Sequence, residues 1–515
     1  MQKKILNTFK LLIFIPLFIY TGERSFIAYD EGFYILQAKW ILDKGNWIAP
    51  MWFDNISLDR TIGIQFIIAL SQKIFGNNNF AIYIPITFCA ISMAYLTYQI
   101  HKELLDNRYS LISPLILSTS FLWINYSNLA TQDIVYSTII TLGIYSTIKS
   151  SKSGENIFLI LSGGWIGLAF MLKTFLTIIP LLGILPFLIY KKITFKKLFW
   201  VGFLIGYLPF IIWSLLILRA YGYSIYDNLF EKFLSLSTTN TFTNPFYFYL
   251  WNIPINIFPW SLFLISGLIF SSKIGNKTSK YFLFFYPILI VSLLSIFSTK
   301  TPYYSLQIFS IFSINCYLGI ALILQYKSKL LNIFKFLNFI FIPIIFLIAA
   351  IFISLNSVYI DIDLIEKKFI LFGIFLFSIS WLSFNFVKSN KAKLACVLLG
   401  PYLLFSTILQ SGLITDRSKD LRIALEEMIV SENLEGVEIH TVTSDINNEI
   451  SHSKIIKILT ILPKLGNGVK TLNDLENKEF AWTTIGSEII NAENEFQLIN
   501  NSDIFAPWNL VKKEN

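Results

Sequence analysis

The feature that most constrains this chain is a series of apolar runs, each about 20 residues long, which recurs through most of its length. A run of this length with few charges is typical of a helix that crosses the hydrocarbon core of a bilayer. Of the 515 residues, 55% are hydrophobic and only 14% are charged, whereas soluble domains carry about 25% charged residues. We therefore expect an all-α polytopic membrane domain.

The apolar runs divide into about thirteen candidate transmembrane helices. Their approximate bounds are 5–21, 80–99, 109–125, 133–149, 157–171, 174–190, 197–218, 247–271, 281–298, 303–325, 332–354, 368–387 and 392–412. The first run has the basic start and apolar core of a signal sequence, but no small-residue cleavage site follows it. We expect it to remain as an uncleaved span.

The net charge of +9 comes largely from loops between the spans. Every second loop is basic: "HKELLDNR", "KSSKSGEN", "KKITFKK", "SSKIGNKTSK", "YKSKLLNIFK" and "KSNKAK". Cytoplasmic loops carry such an excess of Lys and Arg, so orientation in the membrane explains the charge better than nucleic-acid binding does. The pattern predicts a multi-pass protein of the plasma (inner) membrane with a cytoplasmic N-terminus and an extracytoplasmic C-terminus.

The composition changes near residue 415. A stretch with a helical period is followed by "VEIHTV", "EFAWTTIG" and "EFQLIN", which are typical of strands bounded by Asn and Gly. We expect a membrane domain over residues 1–414 and a small soluble α/β domain over residues 415–515, on the outer face. The three cysteines lie inside apolar runs, which argues against a disulfide framework or a metal cluster.

Ionisable residues in or near spans are costly and are functional candidates by default. On the predicted topology they gather at the external face, in the loop 22–79 and at the external ends of later spans. These residues are Asp30, Glu31, Asp59, Arg60, Asp133, Lys173 and Lys300, the last followed by Tyr303 and Tyr304. The loop also contains "GFYILQAKWILDKG" and "TIGIQFIIALSQKIFG", amphipathic pieces that would lie in the interface and roof a cavity.

Each residue also has a simpler explanation. Lys173 could snorkel to the headgroups, Asp59 and Arg60 could form a local ion pair, and Asp133 could complement a helix dipole. Tyr303 and Tyr304 could belong to an interfacial aromatic belt. None of these explanations accounts for an adjacent acid pair followed by so long an external segment.

The combination suits group transfer from a lipid-anchored phosphate. A carboxylate at the membrane surface can act as a general base on an incoming hydroxyl or amine. Nearby Arg and Lys can stabilise charge on a phosphate leaving group. The sequence has no Gly-rich phosphate loop or dinucleotide fingerprint, so a soluble nucleotide donor is not indicated.

Several segments resemble, in order, the protein O-mannosyltransferase-like glycosyltransferases, integral-membrane enzymes of the GT-C architecture that include the aminoarabinose transferases. The segments are "YDEGFYILQAKW", "GNWIAP", "LDRT", "FGNNNF", "NLATQDIVYS", "WIGLAFMLKTF", "NPFYFYLWNIPINIFPW" and "STKTPYYSLQIF". The likeness covers residues 1–330 in detail and the remainder only in layout.

The resemblance implies that Asp30 is the general base and that the adjacent Glu31 belongs to the same catalytic site. It implies that Arg60 and Lys300 hold the donor phosphate, with Lys173, Tyr303 and Tyr304 as further contacts. Glu31, Asp59 and Asp133 would orient the donor sugar, support Asp30 or bind a cation.

Two departures bear on these roles. The family's Lys-Pro is Arg60-Thr61 here, which keeps the charge and changes its shape. A histidine that helps bind metal in the aminoarabinose branch would fall near Phe242, where no histidine exists. Any cation would be held mainly by carboxylates, with Glu31 and Asp59 as candidates, which favours Mg²⁺ or Mn²⁺ over Zn²⁺.

We therefore expect an inverting transferase that passes a sugar from a polyprenyl-phosphate donor to lipid A, a cell-envelope glycan, another lipid or a protein. A polyprenol-linked glycan flippase would need charged residues deep in several spans, and the middles of these spans are nearly uncharged. An O-antigen ligase-type enzyme would need a large late external loop, whereas the large loop here comes first.

Overall fold

The computed structural model describes residues 14–57, 60–105, 108–223, 226–231, 234, 243–355, 363–485, 495–500 and 502–514. Most of them lie in helices, as apolar runs of this length predict. The helices before the middle of the chain are α1 Ile15–Phe18, α2 Phe33–Lys44, α3 Gly63–Phe75, α4 Asn79–Leu104, α5 Ile112–Ser118, α6 Phe121–Tyr126, α7 Gln132–Ser153, α8 Asn156–Lys173, α9 Ile178–Tyr190 and α10 Lys197–Tyr221. The later helices are α11 Phe248–Asn256, α12 Ser261–Ser271, α13 Lys277–Ile296, α14 Pro302–Gln325, α15 Lys329–Leu355, α16 Leu364–Ser383, α17 Asn390–Ser411, α18 Lys419–Ser431 and α19 Glu449–Ile461.

Within the described residues, seven helices are long and apolar enough to cross a membrane, or up to eight if α11 and α12 count as one span. That pair is bent by 116°, so the predicted span 247–271 is a broken helix. The predicted span 109–125 is two short helices, α5 and α6. The structure supports a polytopic helical membrane protein, while the count of thirteen spans stays a prediction.

Residues 156–190 count as one helix among these seven. Helix packing shows that they form two helices, α8 and α9, that run in opposite directions. A Cβ atom added at Gly163 would meet Phe199, and one added at Gly167 would meet Gly206 and Tyr207. The residue numbers of the contacting positions increase together along the two helices, which means that α8 and α10 run parallel. Because α10 follows α9, α9 must run back across the bundle. The chain reverses at Thr174, whose φ of +42° departs from helical geometry.

The loop between α1 and α4 contains two helices, α2 and α3, that match the predicted amphipathic pieces. Gly45 ends α2 in the left-handed conformation at φ +68°, as glycine commonly does at a helix C-terminus. A short antiparallel hairpin, β1 Met51–Trp52 and β2 Asn55–Ile56, follows. The amide oxygen of Asn78 accepts from the backbone of Ala81 and caps α4.

The last part of the chain contains a five-stranded sheet. Its strands are β3 Ile439–Val442, β4 Leu465–Val469, β5 Phe480–Thr483, β6 Phe496–Leu498 and β7 Asn509–Lys513, in the order β4-β3-β5-β7-β6. The three strands on one side are parallel, whereas β7 is antiparallel to both β5 and β6. Strands β3, β5 and β6 lie where the sequence predicts strands. The division into separate domains at residue 415 stays a prediction.

The sheet region is joined to the loop that carries the acid pair. One apolar cluster contains Ala28, Leu36 and Trp40 from the loop together with Leu425 and Ile456 from α18 and α19. Ser25 and Asp416 form a β-bridge at the same junction. The acid pair therefore lies between the helical bundle and the C-terminal sheet.

Candidate active site

The acid pair lies in an irregular turn, Ala28–Gly32, that leads directly into α2. Asp30 has φ 56° and ψ −76°, close to the γ-turn conformation that is rare and strained in proteins. Strained backbone persists only where the surroundings hold it, and it clusters at functional sites. The turn directs the side chain of Asp30 toward Arg60 and away from that of Glu31.

Glu31 is buried and its carboxylate accepts three hydrogen bonds. Oε1 accepts from the hydroxyl of Tyr83 at 2.7 Å and from the backbone N–H of Ala130 at 2.8 Å. Oε2 accepts from the backbone N–H of Ile27 at 3.1 Å. Burial raises the pKa of this carboxyl, and the three donors oppose that rise. These contacts tie the acid turn to α4 and to the start of α7, which favours a structural role for Glu31.

Asp30 faces Arg60. The Arg60 Nη1 atom lies 3.7 Å from Asp30 Oδ1, and the two side chains are 27% and 46% exposed. Arg60 Nη1 also donates a hydrogen bond to the hydroxyl of Tyr34 at 2.8 Å, and the guanidinium lies 5.2 Å from the centre of the Tyr34 ring. Arg60 is thus held beside Asp30 while it remains open to solvent.

Asp133 and Lys173 form a buried ion pair, with Nζ 2.5 Å from Oδ1. Asp133 lies in the first turn of α7 and Lys173 is the last residue of α8. Each charge complements its own helix dipole, so the pair forms where the two antiparallel helices meet. Three tyrosine rings surround the ammonium group, with centroids 4.9–5.3 Å from Nζ: those of Tyr136, Tyr303 and Tyr304.

The two pairs influence one another. The pKa of Asp30 is above its ordinary value, chiefly because the surrounding protein partly desolvates this half-exposed carboxyl and then because of the negative charge of Asp133. Arg60 and Lys173 lower it by less. A carboxylate with a raised pKa accepts a proton more readily near neutral pH and so suits a general base. The predicted residues Asp30, Arg60, Asp133 and Lys173, with Tyr303 and Tyr304, thus form a single cluster.

Lys300 has a different set of contacts. Its Nζ donates to the backbone carbonyl of Asn244 at 2.8 Å, and the Asn244 amide donates back to the Lys300 carbonyl at 2.9 Å. The side chain is buried. These bonds hold the turn before α14 against the segment before α11, so in this structure Lys300 braces the backbone that carries the two tyrosines.

Two positions that bear on a cation lie outside the described residues. They are Asp59, a predicted ligand, and Phe242, near which the metal-binding histidine of the aminoarabinose branch would fall. Among those described, no group of three His, Cys, Asp or Glu side chains is arranged to hold a metal ion. Asp30 and Asp133 each face a cation, and both oxygens of Glu31 accept hydrogen bonds. The described contacts of Glu31 thus leave neither of its oxygens without a hydrogen bond, and the predicted cation stays a prediction.

Three tyrosines that complete the cluster were not among the residues predicted from the sequence. Tyr34 accepts from Arg60 and Tyr83 donates to Glu31. The ring of Tyr126 packs against that of Tyr303 in a tilted arrangement, with the centroids 5.6 Å apart. Tyr34 could have been suspected, because it lies one helical turn after Asp30. Tyr83 and Tyr126 are ordinary members of apolar runs and carry no comparable signal.

Comparison with known proteins finds a family and curated relatives to which parts of this chain are similar. The pattern of the dolichyl-phosphate-mannose-protein mannosyltransferase family matches residues 59–215. The undecaprenyl phosphate-alpha-4-amino-4-deoxy-L-arabinose arabinosyl transferase of Photorhabdus laumondii is 28% identical over 292 residues, which cover 54% of this chain and 52% of that protein. The Yersinia pestis protein of the same name is 25% identical over 294 residues, with the same coverage. The chain therefore spans about half the length of the curated relatives it matches.

The fold is similar to that of a solved structure over nearly its whole length. The crystal structure of ArnT from Cupriavidus metallidurans bound to undecaprenyl phosphate matches with a TM-score of 0.77, at 11% identity, over 99% of this chain and 98% of that one. At this identity the match shows the fold alone. The resemblance to GT-C enzymes of the protein O-mannosyltransferase and aminoarabinose transferase kind is confirmed, and the similarity of fold covers nearly the whole chain.

Proposed function

We propose that this chain is an integral-membrane glycosyltransferase that moves a sugar from a polyprenyl-phosphate donor to an acceptor at the outer face of the membrane. The observation that carries the proposal is the gathering of Asp30, Arg60, Asp133 and Lys173 into one cluster at the ends of separate elements. The names of the sequence relatives describe transfer of a sugar carried on undecaprenyl phosphate. The acceptor is lipid A, a cell-envelope glycan, another lipid or a protein.

Asp30 is the general base in this proposal. Its carboxylate takes the proton from the acceptor hydroxyl or amine as that atom bonds to the anomeric carbon of the donor sugar. The bond from the anomeric carbon to the phosphate oxygen breaks, and both of its electrons leave with the polyprenyl phosphate. Direct displacement inverts the anomeric configuration.

Arg60 contacts the donor phosphate. Its side chain is 27% exposed and lies beside Asp30, and the fork of a guanidinium group suits phosphate oxygens. Charge that builds up on the leaving phosphate is stabilised by fixed cations such as this one.

Lys173, which pairs with Asp133 and lies among three tyrosine rings, is a further contact of the donor phosphate in this proposal. Tyr303 and Tyr304 line the path to the phosphate. Glu31 supports the acid turn through its hydrogen bonds. Lys300 acts on the donor through the tyrosine-bearing turn that it braces, and Asp59 orients the donor sugar beside Arg60.

The membrane arrangement belongs to the same proposal. The six basic loops face the cytoplasm, the acid loop 22–79 and the C-terminal residues 415–515 lie outside, and about thirteen helices cross the plasma membrane. The apolar helices of the described residues support a chain that crosses the membrane. The excess of Lys and Arg in alternate loops supports the proposed orientation.

Full-length protein reconstituted in nanodiscs with synthetic polyprenyl-phosphate sugars tests the proposal. We expect donor-dependent release of polyprenyl phosphate together with transfer of the sugar to a mixture of envelope lipids. Movement of intact donor across a sealed bilayer without sugar release would indicate a flippase. Neither release nor transfer from pentose and hexose donors would overturn the glycosyltransferase assignment.

A further inference from the structure

Helix α19, from the C-terminal region, is locked against the acid turn. A Cβ atom added at Gly32 would lie 2.6 Å from a side-chain carbon of Ile456, so the turn and the helix are in direct contact. The hydroxyl of Tyr29 donates to the backbone carbonyl of Glu449 at 3.3 Å. At the other end of the helix, the buried ammonium of Lys39 donates to the carbonyl of Thr460 at 2.8 Å. Helix α19 therefore has a fixed position relative to Asp30.

A cleft of about 330 Å³ opens between this helix and the acid turn. Its lining comes from one face of α19 and from the residue before Asp30: Tyr29, Glu449, Ile450, Ser453, Lys454 and Lys457. Residues three and four positions apart share a helix face, which explains why these members of α19 line it together. The volume lies at the lower end of the range for small-molecule sites and would hold one sugar or one phosphate-bearing group.

The cleft is positively charged. Lys454 and Lys457, three positions apart on α19, face one carboxylate, that of Glu449. Both lysines are partly buried. The pKa of Lys454 is below its ordinary value because of burial and because of the neighbouring charge of Lys457. A bound anion would relieve that repulsion.

The available donors suit an oxyanion. Lys454 Nζ gives one hydrogen bond, to the carbonyl of Ile504 at 2.6 Å, and an ammonium group has three N–H donors. The hydroxyls of Tyr29 and Ser453 lie on the same lining. A phosphate or carboxylate group would therefore meet two ammonium groups and the hydroxyl of Ser453, since the single proton of the Tyr29 hydroxyl is donated to Glu449.

We propose that this cleft binds an anionic group, a phosphate or a carboxylate, of the acceptor. The inference rests on the proposed function, because it assigns the cleft to the acceptor of that reaction. An anionic group seated against Lys454 and Lys457 brings the rest of the acceptor past Tyr29 to Asp30, the next residue in the turn. The chemistry is the same whether the anion belongs to a lipid headgroup or to a soluble carbohydrate.

Binding to the full chain in phosphatidylcholine nanodiscs tests the cleft, with two probes that separate the sources. One probe is phosphatidic acid placed in the nanodisc, and the other is glucose 1-phosphate in solution, with glucose as its uncharged counterpart. The variant is Lys454→Gln/Lys457→Gln. The control is Lys470→Gln, which removes an exposed lysine elsewhere in the same region. Retention of donor affinity by every variant checks that the protein is folded.

We expect one phosphate probe to bind the wild-type chain and to lose at least about tenfold in affinity in the double variant, since charged hydrogen bonds are lost. The probe that does so identifies the source. Lys470→Gln should leave its affinity unchanged. No binding of either probe to wild type, equal loss in the control, or full affinity in the double variant would each overturn the inference.

The sugar-transfer assay keeps the two proposals apart. A wild-type chain that shows no sugar release contradicts the proposed function, whatever the probes do. A double variant that transfers sugar with the wild-type dependence on acceptor concentration contradicts only the acceptor cleft. We expect a raised acceptor KM at unchanged donor KM.

Discussion

At the scale of single residues, the acid pair shows how neighbouring carboxylates can receive opposite environments. Glu31 is buried with three hydrogen-bond donors, whereas Asp30 is half exposed beside Arg60. The hydrogen bonds of Glu31 hold the turn in which Asp30 adopts its positive φ. The geometry therefore favours a structural role for Glu31, which stabilises the conformation of the turn, and a chemical role for Asp30.

Asp30→Asn should reduce sugar transfer by about 10²–10⁴-fold, the usual cost of losing a general base. Asn tolerates positive φ better than most residues, so the turn should keep its shape and donor affinity should be retained. Turnover at saturating donor and donor binding measure the two effects. Near-normal turnover by Asp30→Asn would refute the role of this carboxylate.

Glu31→Gln should instead lower the thermal midpoint of the protein, because the amide cannot accept from all three donors.

Arg60→Gln should move the acid limb of the pH–rate profile to higher pH. Arg60 holds the pKa of Asp30 down, so its removal lets that pKa rise further. A base works only above its pKa, and the rate should then begin to fall at a higher pH as the solution is acidified. kcat measured between pH 4 and pH 8 at saturating donor shows the shift. Arg108→Gln, in a basic loop, is the control; a limb that stays in place or moves to lower pH contradicts the assignment.

At the scale of secondary-structure elements, most of the candidate site was predictable from the sequence. The start of one membrane helix and the end of the next lie on the same side of the membrane, so charged residues at those ends come together. Asp133 begins a helix and Lys173 ends the next, so alternation across the membrane brings them together. The bonds of Glu31 to Tyr83 and Ala130 were not predictable, since these partners are 52 and 99 residues away. The contact between α19 and the acid turn likewise depends on shape: it needs a glycine at position 32.

The close packing of helices α8 and α10 could also have been predicted from their sequences. Gly163 and Gly167, and Gly202 and Gly206, are each four residues apart, the small-residue spacing that lets membrane helices approach closely. A Cβ atom at Gly202 would overlap the carbonyl of Ile160. Gly202→Leu should therefore destabilise the bundle by about 1–3 kcal/mol or more, seen as a lower thermal midpoint in detergent. Gly275→Ala, where the added atom meets nothing within 4 Å, should match wild type; equal stability of the two variants would contradict the packing.

Lys39 binds the end of α19 to α2 and offers a test of that contact. Its buried ammonium donates to the carbonyls of Thr460 and Leu462, and burial lowers its pKa to about 8. Lys39→Met should leave two buried carbonyls without this donor and weaken local stability by about 1–3 kcal/mol. Hydrogen exchange of residues 449–461 measures the loss. Lys464→Met, at an exposed lysine paired with Glu438, should leave that exchange unchanged, and equal exchange in both variants would contradict the role of Lys39.

At the scale of the whole molecule, contacts between loops separate two faces. On one face, Lys149 and Lys152 pair with Glu103, and the hydroxyl of Ser279 donates to the carbonyl of Leu104, which brings three basic loops together. On the other face, the indole of Trp213 near the end of α10 donates to the carbonyl of Ile48. The C-terminal region joins this second face through Ser25 and Asp416. The acid loop and the C-terminal sheet therefore lie on one side and these basic loops on the other.

The charge difference between these faces predicts their orientation, because Lys- and Arg-rich loops stay in the cytoplasm. In a chain whose three native cysteines are replaced by alanine, Glu435→Cys should react with a membrane-impermeant maleimide in sealed, right-side-out vesicles. Lys273→Cys and Lys391→Cys, in two of the basic loops, should react only after the membrane is opened. All three positions are exposed, so access to the reagent depends on the side of the membrane alone. Labelling of the two basic loops in sealed vesicles would reverse the orientation and place the Asp30 cluster on the cytoplasmic side, where an external acceptor could not reach it.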